Sequence, residues 1–232
     1  MTDILQVLTQ YCDVYVDDDR MNDLKATDFP LWAFRMWAYL RAAIPQFNLP
    51  SEMPTYLVGD NGEFLSEPSF ASYQVTVSND QTVFVSSDYI GFDYCSARIV
   101  SVDQYGDVQY QQTQCAYDAE SGSVTIDGVE DGAVVEFDFY KDGAFVHTLT
   151  PEIMSVLGLC FAYVWETRFI NNWLSNVTKI EDQSFYEQNR ANKERADSER
   201  LELLKYEMSS AMRRLDENNA FRKIVLGKKT GF

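Results

Sequence analysis

The stretch that decides the fold is Ala133-Val-Val-Glu-Phe-Asp-Phe-Tyr-Lys-Asp-Gly-Ala-Phe-Val-His-Thr-Leu149, which runs straight into Thr150-Pro-Glu-Ile-Met-Ser-Val-Leu-Gly-Leu-Cys-Phe-Ala-Tyr-Val-Trp165. Over Ala133–Phe139 β-branched, aromatic and acidic side chains alternate toward the period of two that marks a strand. At Thr150 the period changes. Thr150 is a good N-cap, Pro151 suits the first helical position, and Glu152 favours the positive end of the helix dipole. Ile153, Met154, Val156, Leu157, Leu159, Phe161, Val164 and Trp165 follow, then Phe169, Ile170, Trp173 and Leu174, so this helix is apolar on nearly every side. A β part therefore ends, and a helical part begins, at residue 150.

Upstream of that boundary the β pattern extends back to about residue 55. Tyr73–Val77, Thr82–Val85, Ala97–Val102 and Ser123–Ile126 read as further strands, separated by turn signals such as Asp60-Asn61-Gly62, Tyr105-Gly106-Asp107 and Asp127-Gly128. Lys141-Asp142-Gly143, between two strand-like runs, predicts a hairpin. Short strands at regular spacing, with no helix between them, point to an antiparallel sandwich or small barrel over residues 55–149.

Residues 1–54 read as helical. Ile4, Leu8, Tyr11 and Tyr15 recur every three to four positions, and the acid run Asp17-Asp18-Asp19, with Asn22-Asp23, predicts a solvated loop that ends the helix. A calcium loop is excluded there, because the turn glycine and the closing glutamate are missing. Asp28-Phe29-Pro30 opens a second helix that Pro45 stops. Its apolar residues, Trp32 and Trp37 among them, cover almost the whole circumference, which predicts burial on several sides and a sister subunit as part of the cover. Past residue 150, Ser184-Phe-Tyr-Glu187 has the form of a capping box, and no Pro or Gly interrupts the chain from there to about Asn218. Leu201, Leu204, Met208, Ala211, Met212 and Leu215 form a stripe at helical spacing. The expected fold class is thus α+β: a helical frame from residues 1–54 and 150–219 with an inserted β-sandwich at 55–149, and an extended arm at 220–232.

Charge divides the chain in the same places. The 232 residues hold 36 Asp and Glu against 19 Lys and Arg, a net charge of −17. Residues 55–149 contain only two bases, Arg98 and Lys141, among 16 acids, a net of −14. Such a field repels nucleic acid and anionic membranes. No basic, apolar leader opens the chain, and the longest apolar stretch, Ile153–Trp165, is too short to span a bilayer. Arm residues Phe221, Arg222, Lys223, Ile224, Val225, Leu226, Lys228, Lys229 and Phe232 combine apolar and basic character, which suits docking onto a partner's groove or sheet edge.

Catalytic signatures are missing from the sequence. His147 is the single histidine, which removes triads and multi-histidine metal sites, and no nucleotide-binding or nucleophile-elbow motif occurs. Cys12, Cys95, Cys115 and Cys160 stand far apart and read as buried thiols. Tyr89, Tyr94, Tyr105, Tyr110 and Tyr117 offer an alternative function, a sugar-binding groove on a β-module carried by a helical stalk. The expectation is no enzyme, no cofactor and no metal.

The run Leu149–Arg168, continued by Phe169-Ile-Asn-Asn-Trp-Leu174, Asp182-Gln-Ser-Phe185 and Asn189-Arg-Ala-Asn192, resembles the head-to-tail connector proteins of tailed bacteriophages. Shared features are an apolar helix, a short break, a helix start and a long helix rich in Glu, Lys and Arg, spread over about 80 of the 232 residues. The resemblance implies a virion protein, assembled in the host cytoplasm, that forms a homo-oligomeric ring of about twelve copies as an adaptor or neck. Its implied partners are itself, the portal protein through the arm, and other neck and tail proteins, while DNA passes through the acidic lumen unbound. In that arrangement Trp32, Trp37, Trp165, Phe169 and Trp173 are the expected subunit-packing anchors.

Overall fold

The structure is a computed structural model that describes residues 1–78, 82–177 and 186–218, with side chains outside 169–194. Helices frame two antiparallel sheets, which is the α+β class expected. The frame opens with a short helix α1 (Ile4–Val7) that continues as a π-turn over Leu8–Cys12 and a 3-10 turn over Asp13–Tyr15. Helix α2 (Asp19–Thr27) follows where the acid run predicted a loop. Asp18 is the reason: its carboxylate accepts from the backbone N–H of Arg20, and Asp19 sits in the first turn, so the acids start a helix rather than end one.

Helix α3 (Phe29–Ala43) begins at the expected cap, with Asp28 accepting from the Leu31 N–H at 3.2 Å, and closes into a 3-10 turn that contains Pro45. Helix α4 (Met53–Val58) lies where the strand pattern was expected to start, and Met53, Leu57 and Val58 are buried in the frame. Frame packing therefore runs through Phe64, and it resumes with Tyr140, Phe145 and Leu149 on the far side of the β part. Helix α5 (Pro151–Val177) starts at the Thr150 cap, and α6 (Tyr186–Glu217) lies against it. At about 1.5 Å per residue α6 is ~48 Å long. Met208, Met212 and Leu215 of its stripe are buried in the frame core.

Among the described residues the strands are β1 (Ser69–Thr76), β2 (Val83–Val85), β3 (Tyr94–Val102), β4 (Val108–Thr113), β5 (Cys115–Asp118), β6 (Ser123–Ile126) and β7 (Val134–Lys141). One sheet has the order β1-β7-β3-β4 and the other β2-β6-β5, every pairing antiparallel. Val135, Phe137 and Phe139 from one sheet meet Phe84, Val124 and Ile126 of the other in a second core. Strands β4 and β5 were not foreseen, because Val-Gln-Tyr-Gln-Gln-Thr and Cys-Ala-Tyr-Asp carry little apolar alternation.

The expected hairpin at Lys141-Asp142-Gly143 does not form, since among the described residues no strand follows β7. The Asp142 carboxylate instead accepts from the Leu5 N–H at 3.1 Å and the Gly143 N–H at 2.8 Å, and the Gly143 carbonyl accepts from Ile4 N–H. Burial pushes the Asp142 carboxyl up to about 6. A side chain at position 143 would collide with Pro68 and Ser66, so glycine lets the chain turn tightly into the frame here. Gly158 plays a similar part in α5, where an added Cβ would lie 2.6 Å from the Tyr11 carbonyl oxygen of the π-turn.

Trp32, Trp37 and Trp165 are buried inside the chain's own core. This corrects the expectation that they meet a sister subunit. Helix α3 packs against α5, β7 and β3, so one chain covers both sides of it. Trp37 stands edge-on to Phe64, and Tyr39 of α3 packs on Trp165 of α5 at 4.7 Å. The side chains of Phe169 and Trp173 lie outside the described residues, as does the arm from residue 219 onward.

Candidate functional site

Where the frame meets the four-stranded sheet, the contact is charged rather than greasy. Strand β7 buries both of its faces: Val135, Phe137 and Phe139 point into the sandwich, and Glu136, Asp138 and Tyr140 alternate onto the opposite face, toward the frame. Pairing aligns polar side chains in rows across three strands. Gln74, Glu136 and Arg98 form one row, and Ser72, Asp138 and Ser96 the next. Asp28, at the start of α3, sits over both.

Arg98 holds this cluster together. Its Nε donates to Glu136 at 3.1 Å, a second donation from Nη2 to the same carboxylate is shorter still, Nη1 donates to Asp28 at 2.8 Å, and Nη2 lies 2.7 Å from Asp138. Its guanidinium also lies 4.8 Å from the Tyr110 ring centre. Asp28 accepts from Ser96 Oγ as well, at 2.7 Å, so one carboxylate caps a helix, binds the sheet and pairs with the arginine. One guanidinium thus answers three buried carboxylates.

The three carboxylates respond differently. Burial alone would raise Glu136, but hydrogen bonds from Gln74 and Arg98, with the arginine's charge, hold it below the ordinary range. Asp138 is only 1% exposed, and neither of its oxygens has a well-aligned donor. Burial and the neighbouring Asp28 push its carboxyl up to about 7, and its neutral form is the one that can donate to Asp28.

A pH effect follows with a definite sign. A carboxyl raised in the folded state stabilises fully below its unfolded value, near 4, and that contribution is lost as pH rises through the folded value, about 7 for Asp138 and about 6 for Asp142. Stability should therefore fall between about pH 4 and pH 7. Asp138→Asn removes one of the two groups. Urea midpoints are expected to lie close to wild type at pH 4 and to exceed it at pH 8, by about 1–3 kcal/mol in unfolding free energy. Parallel pH profiles for the two proteins would refute this assignment.

A second feature lies on the helical side. Val14, Tyr15, Val16 and Asp17 at the end of the first coil, Ala162 and Glu166 of α5, and Arg200, Leu203 and Leu204 of α6 line an open groove of about 460 Å³. Val14 and Leu203 are 73% and 57% exposed, and a 2.5 Å ion pair joins Glu166 to Arg200. The third feature is the β3–β4 hairpin. Strand β4 ends the four-stranded sheet, and all its residues but Thr113 are exposed, Val108 at 51% and Tyr110 at 58%. Val102 and Tyr105 of the same hairpin are also exposed.

The five tyrosines proposed for a sugar groove do not share one surface. Tyr89 and Tyr117 belong to the sandwich interior, the Tyr117 hydroxyl donating to the Tyr89 carbonyl, whereas Tyr94 packs on Phe29 and Tyr105 and Tyr110 lie on the hairpin. All four cysteines are free thiols, Cys12 and Cys160 buried, and Cys115 donating weakly to the Cys95 carbonyl. His147 stacks on Tyr56 at 4.5 Å. Among the described residues no cluster of three or more His, Cys, Asp or Glu is arranged to hold a metal ion, and no helix is long and apolar enough to cross a membrane. The residues that dominate the geometry, Arg98, Glu136 and Asp138, were not singled out as a site from the sequence. Their signal was present: an arginine almost alone among acids, and two acids in a strand of aromatics.

No protein-family model matches the chain, and no curated protein matches it either.

Proposed function

We propose that this chain is a structural virion protein that assembles into a homo-oligomeric ring at the head-to-tail junction of a tailed phage. The observation that carries the reading is strand β4: an edge strand open on both faces and bearing exposed Val108 and Tyr110. Folded proteins usually cover, shorten or charge such an edge, because its unpaired N–H and C=O groups recruit another chain. A second copy of this chain is the occupant. Where that edge meets an unlike surface of the next copy, the contact is of the heterologous kind, which forms a ring when the rotation closes.

Charge supports the same reading. The β part carries a net of −14, and a surface of that sign lets a polyanion slide past instead of holding it. The connector resemblance of residues 149–192 adds the head-to-tail location and the portal as neighbour. Electron microscopy of the purified protein tests the proposal. Annular particles with a central channel are expected, and isolated single chains at micromolar concentration would overturn it.

A further inference from the structure

We propose that the groove between the first coil, α5 and α6 is the receptor for the chain's own basic arm, residues Ile224–Lys229. Two properties of the groove select that occupant. Its walls are apolar and unusually exposed, with Val14 and Leu203 standing out to solvent beside half-buried Leu204. Its charge is acidic: Asp17 and Glu166 line it against Arg200, and Asp197 stands close enough to act on Glu166, as Glu207 does on Tyr15. Burial, opposed by Arg200 and reinforced by Asp197 and Asp17, leaves the Glu166 carboxyl above its usual range.

The arm is complementary on both counts. Ile224, Val225 and Leu226 supply apolar side chains, and Lys223, Lys228 and Lys229 supply cations. Its reach is sufficient. From Asn218 back to Arg200 the helix covers about 27 Å at 1.5 Å per residue, and eight extended residues span about as much. The groove thus takes an extended, basic, apolar segment, and the chain carries one within reach.

Carbodiimide cross-linking of the full chain, read by mass spectrometry on a mixture of light and heavy isotopic protein, tests this. Lys223, Lys228 and Lys229 are expected to join mainly to Asp17, Asp197 and Glu207. The double variant Val14→Arg/Leu203→Arg, altered only at exposed positions and adding neither a carboxylate nor a lysine, is expected to lower those yields at least fivefold with an unchanged circular dichroism spectrum. Arm lysines joined chiefly to the more numerous acids of the β part, or yields unaffected by the variant, would overturn the proposal. Its fate is separable from that of the ring: links confined to one isotope in a monomeric protein keep the docking and discard the ring, and a ring without these links does the reverse.

Discussion

Replacing Arg98 with methionine is expected to cost about 3–5 kcal/mol of stability at pH 8, the penalty typical of removing one partner from a buried charge cluster. Methionine keeps most of the volume, so the loss comes from electrostatics and not from a cavity. Asp28, Glu136 and Asp138 would remain under α3 without a counter-ion, and the Glu136 and Asp28 oxygens would each lose donors. The deficit should shrink toward pH 5, where Asp138, pushed up to about 7, is already neutral. Adding Asp138→Asn to Arg98→Met should restore part of the loss at pH 8, since one buried charge fewer then needs a partner. Chemical denaturation at the two pH values measures all of this. A loss below about 1 kcal/mol at pH 8 would mean that water screens the cluster and that it does not fasten the sheet to the frame.

The second large effect concerns assembly. Val102→Glu combined with Val108→Lys and Tyr105→Ser polarises the hairpin and leaves its fold alone. Positions 102 and 108 face each other in the β3–β4 register, so the new charges form an opposite pair, and all three side chains are exposed in the single chain. Stability should change by less than about 1 kcal/mol, as for most surface substitutions. Self-association should be lost, because the open edge then presents charge, which is how natural edge strands avoid pairing. Sedimentation analysis of wild type and variant at equal concentration reads the difference. Unchanged association would move the subunit contact away from β4.

Much of the fold could be read locally. The starts of α3 and α5 follow from Asp28-Phe29-Pro30 and Thr150-Pro151, because a cap acts within three residues. β1, β2, β3, β6 and β7 announce themselves by β-branched and aromatic residues. What escaped the reading depends on partners far away in sequence. Lys141-Asp142-Gly143 has the composition of a hairpin turn, but Asp142 bonds to Leu5, 137 positions away, and the chain leaves the sheet. Glu136 and Asp138 alternate with phenylalanines as solvent-facing acids do, yet they are buried because Arg98 and Asp28 converge on them. Asp28 was legible as a helix cap, and its second role as a ligand of Arg98, 70 positions on, was not. Trp32, Trp37 and Trp165 show the same limit from the other side. Their burial was legible, but the surface that covers them belongs to this chain.

The proposed role requires a ring of identical copies. Native mass spectrometry of the full-length protein at micromolar concentration and moderate salt tests it most directly. One dominant species is expected at a fixed integer multiple of the 26.7 kDa chain, collapsing to the single-chain mass in the hairpin variant. A wild-type protein that remains at the single-chain mass as its concentration is raised tenfold would contradict it.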